Sequence, residues 1–321
     1  MQKFSSLRRA LLGALVALPS VVRAQSPAPL RLVVPFTPGT GIDLIARTVG
    51  PRLSERLGRP VIVENRAGAS GNIGTESVVR AKPDGQTLLV SVNTLVMNRG
   101  LYPKLPFDPV RDLLPVSQTS WGQLLLVASA ATGYRSVADL VAAAKAKPGR
   151  LNYASPGVGT PHHLSMELFK AQTGLFITHI PYSGTAQAVT DLLSGQIETM
   201  FLPIHVGLPH VRSGRLNALA IGSGSRHALL PTLPTLEEAG VGRINVDMWY
   251  GVFAPAGTPS DLVARYNREL QDILALPEVR TAFQTQGMDP AGSTPEAFRQ
   301  LVERDAQRWA TLIEARRITA E

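Results

Sequence analysis

Three turns of this chain concentrate glycine, serine and threonine between an apolar run and a helix-period stretch. They are residues 37–43 (TPGTGID), 65–75 (NRAGASGNIGT) and 154–163 (ASPGVGTPHH), with 181–185 (PYSGT) as a fourth. At the carboxyl end of a strand in an α/β sheet such turns border the ligand crevice. The free N–H groups at the following helix start can hold an anion without any basic side chain. Each turn alone is better explained by tight-turn and capping chemistry. Four in one chain point to a shared cleft whose natural ligand is a small carboxylate.

Other chemistries find less support. Gly68, Gly71 and Gly74 have the spacing of a dinucleotide-binding loop, but the acidic residue that binds a ribose is missing from the next apolar run, TLLVSV. No tyrosine is followed four residues later by lysine, so the short-chain dehydrogenase pair is absent too. There is no cysteine and no G-x-S-x-G, which removes the usual nucleophiles. His163 and Glu167 have an i, i+4 metal-ligand spacing without a completing motif, and a surface or capping pair is the simpler reading. Asp43 and Asp191 fall on early helical turns, where a carboxylate complements the helix dipole as well as it could meet a ligand.

The elements that must position these turns follow from periodicity. Apolar runs of four to six residues alternate with amphipathic stretches, the pattern of an α/β fold. LRLVVPF, VIVEN and TLLVSV read as strands separated by helices, with Leu44, Ile45, Val49, Leu53 and Leu57 on one helix face. After an irregular proline-containing stretch, a second series runs through QLLLVAS, RLNYASP, FITHIPY, IETMFLP and RLNALAIGS. Helices are expected over residues 260–275, 277–285 and 294–315, packing back on the first series. The chain therefore crosses between two lobes twice, near residues 116–127 and 247–253, which makes a hinge.

The first 24 residues carry Lys3, Arg8 and Arg9, a 13-residue apolar run from Ala10 to Val22, and a small-residue end at Ala24. This is the layout of a secretory signal peptide, too short to span a bilayer. Its removal leaves 297 residues, enough for two domains. The full chain carries +8, but four of its 32 basic residues and none of its 24 acidic ones lie in the leader, which leaves +4. Lysine and arginine are scattered without basic runs, so a nucleic-acid partner is not indicated.

Five stretches in order, VVPFTPGTGIDLIAR, VIVENRAGASGNIGTESVVRAKPDGQTLL, LNYASPGVGTPHHLSMELF, HIPYSGTAQAVTDLLSGQIETMF and PTLPTLEEAGVGRINVDMWYGVFAPAGTP, cover nearly all of the mature chain. Together they resemble the Bug-type substrate-binding receptors of tripartite tricarboxylate transporters. The resemblance implies a two-lobed, type 2 periplasmic-binding-protein-like α/β fold, each lobe a mostly parallel sheet flanked by helices and joined by a two-strand hinge crossing. The expected layout is a signal peptide over 1–24, one lobe from 25–126 plus 250–321, and the other from 127–249. It also implies a periplasmic monomer that captures a small organic carboxylate for the transporter's membrane components, with no cofactor and no metal.

Carried over residue by residue, the resemblance puts one grip on Phe36, Thr37, Gly39, Thr40, Gly41 and Asp43, extended by Ala69, Ser70 and Gly71. The opposing lobe supplies Ser155, Gly157, Gly159, Thr160 and His163, with Tyr182, Ser183, Gly184 and Thr185 nearby. Related receptors usually read Pro-Gly-Gly where this chain has Pro38, Gly39 and Thr40. A β-branched residue tolerates positive φ poorly, so Thr40 is expected to stay right-handed and to cap the helix in preference to touching ligand. Two other readings remain open: an exported enzyme using His163, Asp43 or Asp191 as acid or base, and a sensor feeding a membrane kinase.

Overall fold

The computed structural model describes residues 28–102, 104–316 and 318; the expected leader lies outside them. The chain opens with β1 (Leu30–Val34), α1 (Gly41–Leu57), β2 (Val61–Asn65), α2 (Asn72–Val79), β3 (Thr87–Val92) and α3 (Thr94–Leu101). In α1, Ile42, Ile45, Val49 and Leu53 recur every three or four residues and are buried, forming the stripe that seats the helix on the sheet. Gly58 then ends it in the left-handed region at φ 62°, its N–H returned to the last turn.

Next come β4 (Leu113–Gly122) and β5 (Leu124–Ser129), separated only by Gln123. The second series follows: α4 (Val137–Ala146), β6 (Asn152–Ser155), α5 (Pro161–Thr173), β7 (Thr178–Pro181), α6 (Thr185–Ser194), β8 (Thr199–Pro203), α7 (Ile204–Arg212) and β9 (Leu216–Ile221). The chain returns through β10 (Met248–Pro255) and finishes with α8 (Ser260–Ala275), α9 (Pro277–Thr285), β11 (Met288–Pro290) and α10 (Pro295–Arg316). Among the described residues no helix is long and apolar enough to cross a membrane.

Two sheets result, in the orders β11-β4-β10-β3-β1-β2 and β7-β6-β8-β5-β9. They are mixed rather than mostly parallel. β1 pairs parallel with β2 and β3, and β6 with β7 and β8. The strands that carry the chain across, β4, β5 and β10, pair antiparallel with their neighbours, because one path leaves a lobe where the other comes back. The proline-containing stretch read as irregular, residues 101–119, contains the first seven residues of β4, and β11 adds a short antiparallel edge to the strand's other end.

β5 links the two interiors. Leu124, Leu126 and Ala128 face the larger core, which runs from the first sheet through the crossing into the second, while Leu125 and Val127 face a smaller core on the other side. That is the period-two alternation of a strand buried on both faces. The C-terminal helices pack on the first lobe, with α8 against α1 and β4, and α10 against α3 and β4. There Trp249 meets Phe298 edge-on at 5.3 Å between centroids, and its indole N–H donates to Asp305 at 2.8 Å.

Candidate functional site

Five helices begin at one cavity between the lobes. Thr40, Gly41 and Ile42 of the α1 start line it, with Thr94 at the start of α3, Thr160, Pro161 and His162 at α5, Thr185 at α6, and His205 and Val206 at α7. Phe36, Val92, Pro156, Pro203, Met248 and Tyr250 complete the wall. The leading N–H groups of each helix have no partner within it, and the helix dipoles add positive potential at the same point. Among the described residues no lysine, arginine, aspartate or glutamate lines the cavity. Its anion-attracting character therefore comes from backbone.

Each lobe builds its main turn by the same construction. Gly39 takes positive φ (84°) and its N–H donates to Asp43 at 2.9 Å; Gly159 takes positive φ (81°) and its N–H donates to His163 Nδ1 at 3.2 Å. Between each pair stands a threonine in extended conformation, Thr40 at φ −78° and Thr160 at φ −74°. The Thr40 hydroxyl donates to the Thr37 carbonyl at 3.1 Å, and the Thr160 hydroxyl to the Gly157 carbonyl at 2.7 Å. Neither makes a capping bond. The expected cap at Thr40 is thus replaced by a bond that closes the turn, and the positive φ falls on Gly39.

Asp43 and His163 are committed to their own turns and do not line the cavity. Asp43 also accepts from Arg47 Nε at 3.0 Å and Asn65 Nδ2 at 2.9 Å. Burial pushes its carboxyl up, but Arg47, the Gly39 N–H and Asn65 together hold it below the usual carboxylate range. His163 stacks on His179 at 4.4 Å, which stacks on Tyr153 at 4.6 Å. Ser155 Oγ lies 2.7 Å from His179 Nε2 and accepts from the Gly157 N–H at 3.2 Å. Tyr153 donates to Glu167 at 2.5 Å, and Lys170 donates to the same oxygen at 2.6 Å. His163 and Glu167 therefore have different partners. Burial lowers His163 to about 4 and His179 to about 3, with Lys170 opposing protonation of His163 and His163 opposing that of His179.

The remaining candidates divide between rim and flank. Ser70 Oγ donates across the cleft to the Val158 carbonyl at 2.7 Å. A Cβ on Gly157 would lie 2.6 Å from that Ser70 oxygen, so glycine there permits the approach of the lobes. Ala69 and Ser70 both hold positive φ, 46° and 52°. Gly71 packs beside Phe36, and Gly184 beside Thr37 of the opposite lobe. Tyr182 turns away to donate to Asp191 at 2.6 Å, and Ser183 is exposed.

Of the carried-over residues, Phe36, Thr40, Gly41, Thr160 and Thr185 line the cavity. The sequence reading missed Thr94, His162, His205 and Tyr250. Their signal was position: three stand within two residues of a helix start that directly follows a strand or a glycine turn. Burial lowers His162 to about 3, helped by neighbouring His205, and lowers His205 to about 4; both imidazoles are neutral at neutral pH. A Cβ on Gly41 would lie 2.9 Å from the Tyr250 hydroxyl and 3.0 Å from His205 Cε1, so α1 starts against these side chains.

Comparison with known proteins fits this architecture. A model described as the tripartite tricarboxylate transporter family receptor matches residues 45–318. The chain belongs to that family. As a tricarboxylate transporter receptor it is 38% identical to BugT of Bordetella pertussis, over 89% of this chain and 88% of BugT. Among solved structures it resembles R. palustris Rpa4515 with adipate at 33% identity and TM-score 0.88, over 91% of this chain and 99% of the other. It also resembles MatC (Rpa3494) from Rhodopseudomonas palustris with bound malate at 30% identity and TM-score 0.84, over 89% and 99%. The receptor fold of these relatives is the two-lobed, two-sheet arrangement described above.

Proposed function

We propose that this receptor binds a small organic carboxylate between its lobes and presents it to the membrane components of a tripartite transporter, working as a periplasmic monomer with residues 1–24 as its export leader. One jaw is residues 25–126 with 250–321, the other 127–249. The observation that carries the reading is the convergence of five helix N-termini on a cavity without a charged side chain. An anion is favoured there by N–H groups and dipoles. The adipate and malate held by the two R. palustris relatives belong to the same chemical class. Thr40, Gly41, Thr160 and Thr185 contact the ligand, with Phe36 beside it. Thr37, Gly39, Ala69, Ser70, Gly71, Gly157, Gly159, Ser183 and Gly184 form the rim and its turns, and Asp43, Ser155, His163 and Tyr182 hold the turns in shape.

No covalent step belongs to this reading. His163, Asp43 and Asp191, the acid–base candidates, direct their polar atoms to Gly159, to Gly39 with Arg47, and to Tyr182. The test is a thermal-shift screen of purified protein against mono-, di- and tricarboxylates, amino acids and aromatic acids. Binding to the folded state raises Tm by mass action, and the acid is expected back unchanged by NMR. Gly41→Leu, which drives a side chain into Tyr250 and His205, should abolish the shift while the fold is retained. Product formation, or a shift that survives Gly41→Leu, would overturn the proposal.

A further inference from the structure

We propose that Thr94, His162, His205 and Tyr250 form a selector for a second group on the ligand, and that the preferred acid carries beside its carboxylate a neutral hydroxyl or carboxamide rather than a second carboxylate. The inference rests on the carboxylate reading above. It comes from a different set of atoms, side chains rather than helix N–H groups.

The four side chains come from both lobes and from the crossing strand, and all line the cavity. Thr94, His162 and Tyr250 are 2%, 8% and 3% exposed, so their polar atoms must find partners in the protein, in bound water or on a ligand that displaces it. Among the described residues, both ring nitrogens of His162, Nε2 of His205 and the Thr94 hydroxyl have no hydrogen-bond partner. The Tyr250 hydroxyl has only the Met248 sulfur, at 3.8 Å. Sulfur is a weak acceptor.

The type of partner follows from the imidazoles. Both are neutral, so His162 offers one N–H and one bare nitrogen lone pair. A carboxylate only accepts, and would leave that lone pair unmatched. A hydroxyl or carboxamide donates to the lone pair and accepts from the N–H, Tyr250 or Thr94. A second carboxylate also finds no lysine or arginine on the wall, where Ile42, Val92, Val206 and Met248 supply apolar surface. Burying a full charge on such a wall is unfavourable.

The test is calorimetric titration of the purified protein at neutral pH with two length-matched series. One is butanoate, 4-hydroxybutanoate, succinamate and succinate; the other is benzoate, 4-hydroxybenzoate, 4-carbamoylbenzoate and terephthalate. In the series that fits, the hydroxyl or carboxamide member should bind at least about tenfold tighter than the unsubstituted acid and the diacid, as a site built to pair a polar group rejects analogues lacking it. Tyr250→Phe conserves shape and should shrink that preference several-fold; His162→Leu, checked for fold by circular dichroism, should bring it within about threefold. If His162→Leu does not fold, Tyr250→Phe decides alone. Equal or tighter binding of the diacid or the unsubstituted acid overturns this inference and leaves the carboxylate reading standing, as does an undiminished preference in the folded variants. Failure of the folded protein to bind any member overturns this inference, and the carboxylate reading falls with it if the wider screen above also gives no shift.

Discussion

The two main turns share a backbone and differ in the side chain that holds it. In the first lobe a carboxylate, Asp43, receives the glycine N–H and is itself held by Arg47 and Asn65. In the second lobe a neutral imidazole, His163, receives it and is held by stacking on His179. All six histidines of the chain lie between residues 162 and 227. One geometry is thus reached with a charged acceptor on one side of the cleft and an uncharged one on the other. The consequence is a difference in response to acid.

The largest expected effect is that response. For His162, His163, His179 and His205 the folded values lie near 3 to 4, against 6.5 for an ordinary imidazole. The unfolded chain therefore binds protons that the folded one refuses: stability is full above pH 6.5 and falls as pH drops toward the folded values. Each such group weakens the fold by up to about 1.4 kcal/mol per pH unit in that window. Asp43 has its folded value below 3.8, so its contribution persists above that pH and is lost only as pH falls through the folded value. Hydrogen exchange at pH 5 against pH 7 should show α5 and α7, which carry His162, His163 and His205, opening before α1 and α2. Equal loosening of both lobes would break the comparison.

Single substitutions come next. Asp43→Ala leaves the Gly39 N–H without its acceptor and takes a carboxylate from Arg47 and Asn65, and should destabilise by about 3 kcal/mol, whereas His163→Ala should remove about 2 kcal/mol and flatten the pH dependence. Denaturant titrations at two pH values check both; the same pH slope in His163→Ala as in the parent would contradict the assignment. The smallest effect sharpens the likeness. Thr40→Val and Thr160→Val each delete one hydroxyl-to-carbonyl bond, and each should lower stability by about 1 kcal/mol. Values differing by more than twofold would mean that the turns are not equivalent.

Much of this was legible in the residues. The strand and helix alternation gave the two series, and α8 and α9 begin and end where the pattern changes. β4 was hidden by Pro115, which cannot donate to a ladder. The structure accommodates it because β11 pairs only with residues 120–122, leaving that side of Pro115 without a partner strand. α3 was missed because its eight residues include Asn98 and Gly100, poor helix formers. The glycine turns were identifiable from composition, but not the direction of Asp43 or His163, which depends on a bond back to the glycine four residues earlier. His162 and His205 were marked only by their place at helix starts and Tyr250 by no local pattern, since the three meet only when separate segments come together.

The bond from Ser70 to the Val158 carbonyl joins protein to protein and involves no ligand atom. It therefore favours the shut form equally for a loaded and an unloaded receptor. A bond of about 1 kcal/mol multiplies the ratio of shut to open molecules roughly fivefold. Ser70→Ala should accordingly shorten the dwell time of every cargo by the same factor, leaving the ranking among cargoes as it was.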